Sequence, residues 1–327
     1  MKVTNIPGFD KKGNPQTGFY MDGYLKANLD GVPGFLAKEY DCVGIVSGSG
    51  KVRIGKSSLA IQTGAYLAWR LAGGQMKCHQ EMKDNKQTWV IDEIINPKKE
   101  IKYNLKENIV FSADQLMETA TRLYNKYGPN QVIVYDEGRQ GLDSARAMES
   151  VNKGMEDFFQ ECGFMGHVII IVLPNFFKLH EDYAIARSLF LINVYADKQF
   201  NRGYFSFYNE FQKEKLFYFG KKRIGVRAKY EATNHNFWGR FTGWTPFERK
   251  EYDRLKKRAL EKKRKTRQQA KWKKQRDAAI YLVKKYVDIS NVAISEELSV
   301  VSGQKISPRS VDYAISNITH QKPEDLN

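Results

Sequence analysis

Near residue 50 the chain reads Gly50-Lys51-Val52-Arg53-Ile54-Gly55-Lys56-Ser57, which satisfies the pattern Gly-x-x-x-x-Gly-Lys-Ser. A short apolar strand, 43–46, precedes it. Behind it, Leu59, Ile61, Ala65, Leu67, Ala68 and Leu71 suit a mostly buried helix that Gly73-Gly74 ends. Strand, glycine loop and helix in that order restrict the fold more than any other feature of the sequence. The glycines let successive backbone N–H groups turn inward around an anion. The helix adds the positive end of its dipole. Gly50 to Ser57, with Ser58, are therefore expected to bind the phosphates of ATP. Lys56 would reach the β- and γ-phosphates, and the Ser57 hydroxyl would be a ligand of Mg²⁺.

Hydrolysis needs a carboxylate site as well. The apolar strand 132–135 ends in Asp136-Glu137. Asp136 is expected to hold Mg²⁺ through water, and Glu137 to act as general base on the attacking water. The next apolar strand, 168–173, runs into Pro174-Asn175, where Asn175 is either a sensor of the γ-phosphate or a turn residue. Arg187, just before the last core strand 189–195, is a candidate arginine finger for a neighbouring subunit, and Arg139 and Arg146 compete for that role.

Strands that alternate with helices, several of them apolar throughout, indicate an α/β fold. Its mainly parallel sheet would carry helices on both faces. Further strands are expected at 89–95 and 109–111. Further helices are expected at 113–127, closed by Gly128-Pro129, and from an Asp143 N-cap through Met148, Val151, Met155, Phe158, Phe159 and Cys162. The aromatic-rich stretches 204–209 and 215–219 suggest an antiparallel hairpin over 202–220 at the sheet edge. Residues 1–40, rich in Gly, Asp, Asn and Lys, suggest an irregular or partly ordered N-terminal arm. The expected division is an arm (1–40), an ATPase domain (41–247), a basic helical linker (248–276) and a helical tail domain (277–327).

The order phosphate loop, Asp-Glu strand, polar strand end, arginine, strand and hairpin resembles the additional-strand P-loop ATPases with a catalytic glutamate. Within them it is most similar to the FtsK–HerA branch, which includes Zot-like proteins and viral genome-packaging ATPases. The resemblance spans about 40–220 and rests on Gly50, Gly55, Lys56, Ser57, Asp136 and Glu137. It implies a RecA-like core and a ring-forming homo-oligomer, with a hexamer as one form, that moves DNA. An AAA+-like replication initiator or loader is the alternative, and it would follow the last core strand with a helical lid. An ATP-gated DNA-binding switch without translocation is another.

Charge enters the argument at the C-terminal end. Residues 254–276 carry thirteen Lys and Arg against the single acid Glu261, so they hold +12 of the chain's +16. The segment lacks Gly and Pro and is expected to be helical. So dense a positive helix repels itself unless an anion neutralises it. Lys262, Lys263, Arg264, Lys265 and Arg267 are therefore candidate phosphate contacts on DNA, double-stranded for preference.

The tail suggests a helix-turn-helix or winged-helix module, with helices at 277–287 (Ile280, Val283 and Val287 inward), at 292–301 and from Ser307-Pro308 to about 318. Arg309, Ser310, Asp312 and Tyr313 would face outward on the last, which would serve as recognition helix. Three unpaired-looking cysteines, no signal peptide and no apolar run near the ~20 residues of a membrane span suit a cytoplasmic protein.

Overall fold

The computed structural model describes residues 2–48, 53–136, 158–159, 162–221, 230–303 and 305–319. Two compact units are present, Met1–Leu255 and Lys256–Asn327.

The first unit is built on a seven-stranded sheet. Its strands, in spatial order, are β11 (Phe237–Arg240), β10 (Tyr204–Asn209), β9 (Phe190–Tyr195), β3 (Cys42–Gly48), β8 (Val168–Val172), β7 (Val132–Asp136) and β6 (Ile109–Val110). The five from β9 to β6 are parallel; β10 and β11 are antiparallel additions at one edge. Every residue of β3, β7 and β8 is buried, as expected of parallel strands covered on both faces. Alternate residues sort onto two layers. Val43, Ile45, Ile133, Tyr135, Ile169 and Ile171 share a core with Leu116, Ala120 and Leu123 of helix α5 (Ala113–Tyr127). On the other face lies α3 (Lys56–Leu71), close enough that a Cβ on its Gly64 would meet Val134 Cγ2 at 3.1 Å.

Three expectations are corrected. Residues 1–40 are not an irregular arm. They form a hairpin, β1 (Lys2–Phe9) with β2 (Pro15–Tyr20), and the short helices α1 (Gly23–Leu29) and α2 (Val32–Leu36). Phe19 stacks on Trp244 with ring centres 4.3 Å apart, and Phe9 bridges to Thr245. Asp30 accepts hydrogen bonds from Lys26 and Tyr66 and forms an ion pair with Arg70, and so ties this segment to α3. The buried partners are far away in sequence, which is why local composition suggested no regular elements.

The second correction is the edge hairpin over 202–220. Its expected second strand is part of a helix, α7 (Glu210–Lys221), and β10 pairs instead with β11, where Phe207 stacks on Phe237 at 4.7 Å. Buried Lys213, Leu216, Phe217 and Gly220 fall at helical spacing, and Asn209 Oδ1 accepts the Gln212 N–H at 3.0 Å. The aromatic residues that suggested a strand are divided between this buried face and solvent, with Phe211 and Phe219 exposed. A strand was also missed. β4 (Gln75–Lys83) pairs with β5 (Lys86–Ile95) in a separate ribbon, turned at Asp84-Asn85, both with positive φ.

Buried Lys213 has neutral hydrogen-bond acceptors only: the carbonyls of Ile185 and Ser188 and the Ser188 hydroxyl. Burial pushes its ammonium down to about 8. A depressed lysine favours the folded state as it deprotonates, so stability is weakest below the folded value and rises toward the unfolded one. Between about pH 7 and about pH 9.5 the unfolding free energy of the wild type, relative to Lys213→Met, is expected to rise by about 2 kcal/mol. Parallel pH profiles of the two proteins in denaturant would contradict this.

The third correction concerns the C-terminal unit. The basic segment and the first tail helix are one helix, α8 (Arg249–Tyr286), because neither Gly nor Pro interrupts it. α9 (Asn291–Ser302) and α10 (Pro308–Thr319) follow, and Ile280, Ile294, Val311 and Ala314 form the small core. Ile280 is inward as expected; Val283 and Val287 are exposed, because that core is centred on the turn around Ile280. Gly303 ends α9 with φ 65°, and Ser307 Oγ accepts the Ser310 N–H at the start of α10. Among the described residues, no helix is long and apolar enough to cross a membrane.

Candidate functional site

Of the expected site residues that are described, Lys56, Ser57, Asp136 and Asn175 fall at the C-terminal ends of the parallel strands, where an open α/β sheet places its ligands. β3 ends at Gly48, β7 at Asp136, and β8 lies between them, with Val172 opposite both Val46 and Asp136. Gly50, Lys51, Val52, Glu137, Arg139 and Arg146 lie outside the described residues. Arg53 and Gly55 have φ of 60° and 102°, a left-handed pair just before α3. Gly55 is required twice over: its φ suits glycine, and a Cβ there would meet Phe241 Cζ at 2.8 Å. Ile54 is buried; Lys56, Ser57 and Ser58 are half-buried in the first turn of α3. Lys56 Cδ lies 3.4 Å from where a Cβ on Gly48 would stand, so the lysine chain runs past the end of β3.

From that first turn the Ser57 hydroxyl donates to Asp136 Oδ1 at 3.1 Å, spanning the end of β8. Asp136 is 1% exposed. A hydroxyl and a carboxylate oxygen in contact are a hard-oxygen pair of the kind Mg²⁺ prefers, and the α3 N-terminus supplies positive potential beside them. These residues therefore fit Mg²⁺ held with a triphosphate. Asp136 Oδ2 accepts a second hydrogen bond, from the Tyr252 hydroxyl. Tyr252 lies in the first turn of α8 and is itself 1% exposed, stacked on Phe247 and tilted against Phe111. In the same turn Arg249 Nη1 donates to Ser58 Oγ at 3.3 Å, and its guanidinium lies 4.9 Å from the centre of the Tyr252 ring.

A second buried tyrosine ties the ends of β3 and β8 together. The Tyr230 hydroxyl lies 2.8 Å from the Gly48 carbonyl, 2.9 Å from Ser47 Oγ and 3.0 Å from the Phe176 amide. The carbonyl can only accept, so the single phenol proton goes to Gly48, and the oxygen accepts from Ser47 and Phe176. Burial pushes this phenol up to about 12. Tyr230→Phe leaves three buried groups unpaired and is expected to lower unfolding free energy by about 2–4 kcal/mol. A loss under about 0.5 kcal/mol in equilibrium denaturation would show that the three groups find other partners.

Two expected residues are not brought into this cluster as hydrogen-bonding partners. Asn175 does stand at the end of β8, but its Oδ1 accepts the Phe177 N–H at 3.0 Å as a cap on the turn Phe176–Lys178. Arg187 precedes the N-terminal end of β9, the end remote from Gly48, and its amide donates to Asp182 O. Tyr252, Tyr230, Arg249 and Phe241 had no sequence signal of their own; they come from stretches that read as irregular or simply charged. On the candidate nucleic-acid side, Lys262, Arg264, Lys265, Arg309, Ser310 and Tyr313 are exposed, and Lys273 Nζ lies 5.1 Å from the Tyr313 ring centre. The side chains of Lys263 and Arg267 lie outside the described set. Among the described residues no cluster of three His, Cys, Asp or Glu could hold a metal ion by itself. Comparison with known proteins gives no match to a family model, a curated protein or a solved structure.

Proposed function

We propose that this protein is an ATP-hydrolysing DNA motor or remodeller, a translocase of the FtsK–HerA kind that works as a homo-oligomer. The observation that carries this is the Ser57–Asp136 contact across the end of β8. It unites the last residue of the glycine-loop motif with the strand-end acid, and it does so with one strand inserted between their own two strands. The residues divide the work by position. The loop and the α3 N-terminus bind phosphates, and Lys56 neutralises charge that builds on the β- and γ-oxygens. Ser57 and Asp136 would hold Mg²⁺, which supplies Lewis-acid stabilisation when bound. Glu137, the next residue, is the general base. The edge strand β10 after β9 supports this reading over an initiator or loader, whose helical lid would stand there. The exposed basic residues of α8, with the outward face of α10, are the DNA contacts, double-stranded DNA in the first instance. An anchoring helix is not required, and the cytoplasm suits the chemistry.

The test is ATP turnover with and without double-stranded DNA, alongside native mass. Turnover that rises with DNA in an oligomer is expected. A monomer whose turnover ignores DNA would sink the motor.

A further inference from the structure

We propose that the first turn of α8 is an autoinhibitory latch on the candidate metal site, and that nucleic acid bound to the same helix releases it. This rests on the function proposed above. A carboxylate that holds Mg²⁺ through water needs an oxygen open to a metal-bound water. Here Oδ1 of Asp136 is taken by the Ser57 hydroxyl and Oδ2 by the Tyr252 hydroxyl, and the group is 1% exposed. The Ser57 contact joins two groups that belong together when metal is bound. The Tyr252 contact does not: it stands where a hydrated cation would approach Oδ2. Tyr252 is held there by its stacking on Phe247 and its tilted contact with Phe111, so movement of the turn carries the hydroxyl away. Arg249, from the same turn, fastens it a second time at Ser58, next to the metal-site serine.

The helix that starts with these two residues continues without a break to Tyr286 and carries the +12 segment. A polyanion bound to that segment acts on a helix that continues unbroken into the latch turn. The latch opens to the extent that nucleic acid binds the helix more tightly once its first turn has left Asp136, the differential affinity by which a ligand shifts a two-state equilibrium. Nucleic acid on α8 and Mg²⁺ at Asp136 are then coupled, and the coupling is reciprocal.

The experiment measures Mg²⁺-dependent ATP turnover of the full chain and of Tyr252→Phe, each with and without double-stranded DNA, with thermal melting to show that both are folded. Tyr252→Phe keeps the ring and deletes the donor. Its turnover without DNA is expected to rise about tenfold toward the DNA-stimulated wild-type rate, the size of one hydrogen bond to a charged group. Its half-saturating Mg²⁺ is expected to become independent of DNA. Arg249→Met, which loosens the same turn without touching Asp136, should move the rate in the same direction. If wild type is stimulated and Tyr252→Phe shows an unchanged or lower rate without DNA, the latch is wrong and the motor stands. A wild type that DNA does not stimulate overturns both.

Discussion

Asp136→Asn is expected to lower ATP turnover by about two to three orders of magnitude while leaving nucleotide binding within a few-fold of wild type. The substitution keeps the shape and one acceptor oxygen, so the Ser57 hydroxyl retains a partner. It removes the negative charge that would hold the aqua ligands of Mg²⁺. Charge stabilisation by a bound metal is worth several kcal/mol in such transfers, and each 1.4 kcal/mol is about tenfold in rate. Lys56→Ala should act differently, because the lysine touches phosphate itself: there binding of ATP weakens along with turnover. Turnover of Asp136→Asn within about threefold of wild type, with the melting curve unchanged, would remove Asp136 from the reaction.

Neutralising the exposed basic face of α8 has the second large expected effect. With Lys257, Arg258, Lys262, Arg264 and Lys265 replaced by Gln, the slope of log affinity for double-stranded DNA against log salt should become shallower by about 4.5. At 0.1 M monovalent salt the affinity should fall by about three to four orders of magnitude if all five charges lie on phosphates. The helix itself should persist, since Gln propagates helix about as well as Lys or Arg. Circular dichroism checks the helix, and a salt series of binding isotherms checks the slope. An unchanged slope would assign the charge to something other than DNA.

The two effects separate the two halves of the protein's chemistry. A charge-neutralised chain should keep its turnover without DNA, because none of the five residues touches the Ser57–Asp136 pair. An Asp136→Asn chain should lose turnover with and without DNA alike while keeping the salt slope of its DNA binding, because no charge of α8 is removed. Either cross-effect would indicate that the turn at Arg249 and Tyr252 transmits in more directions than proposed.

What the sequence determined by itself was whatever depends on neighbours along the chain. The Gly50 to Ser57 motif needs its glycines, its lysine and the helix that follows, all local. The apolar runs of β3, β7 and β8 announce buried parallel strands because no polar alternation interrupts them. The C-terminal end of α9 and the start of α10 were legible through Gly303 and Ser307-Pro308, since caps are made within one turn.

The tertiary structure decided the rest. Aromatic content alone could not tell a strand from a helix at 215–219; the division was made by which face of α7 had a core to meet. Residues 1–40 suggested an irregular or partly ordered arm, and they are ordered because Trp244 and α3 supply apolar and charged partners. Asp136 was legible as a strand-end acid, but its second donor was not. Tyr252 lies 116 residues away, and nothing local marks a tyrosine for a partner that only the closed fold brings within hydrogen-bonding distance.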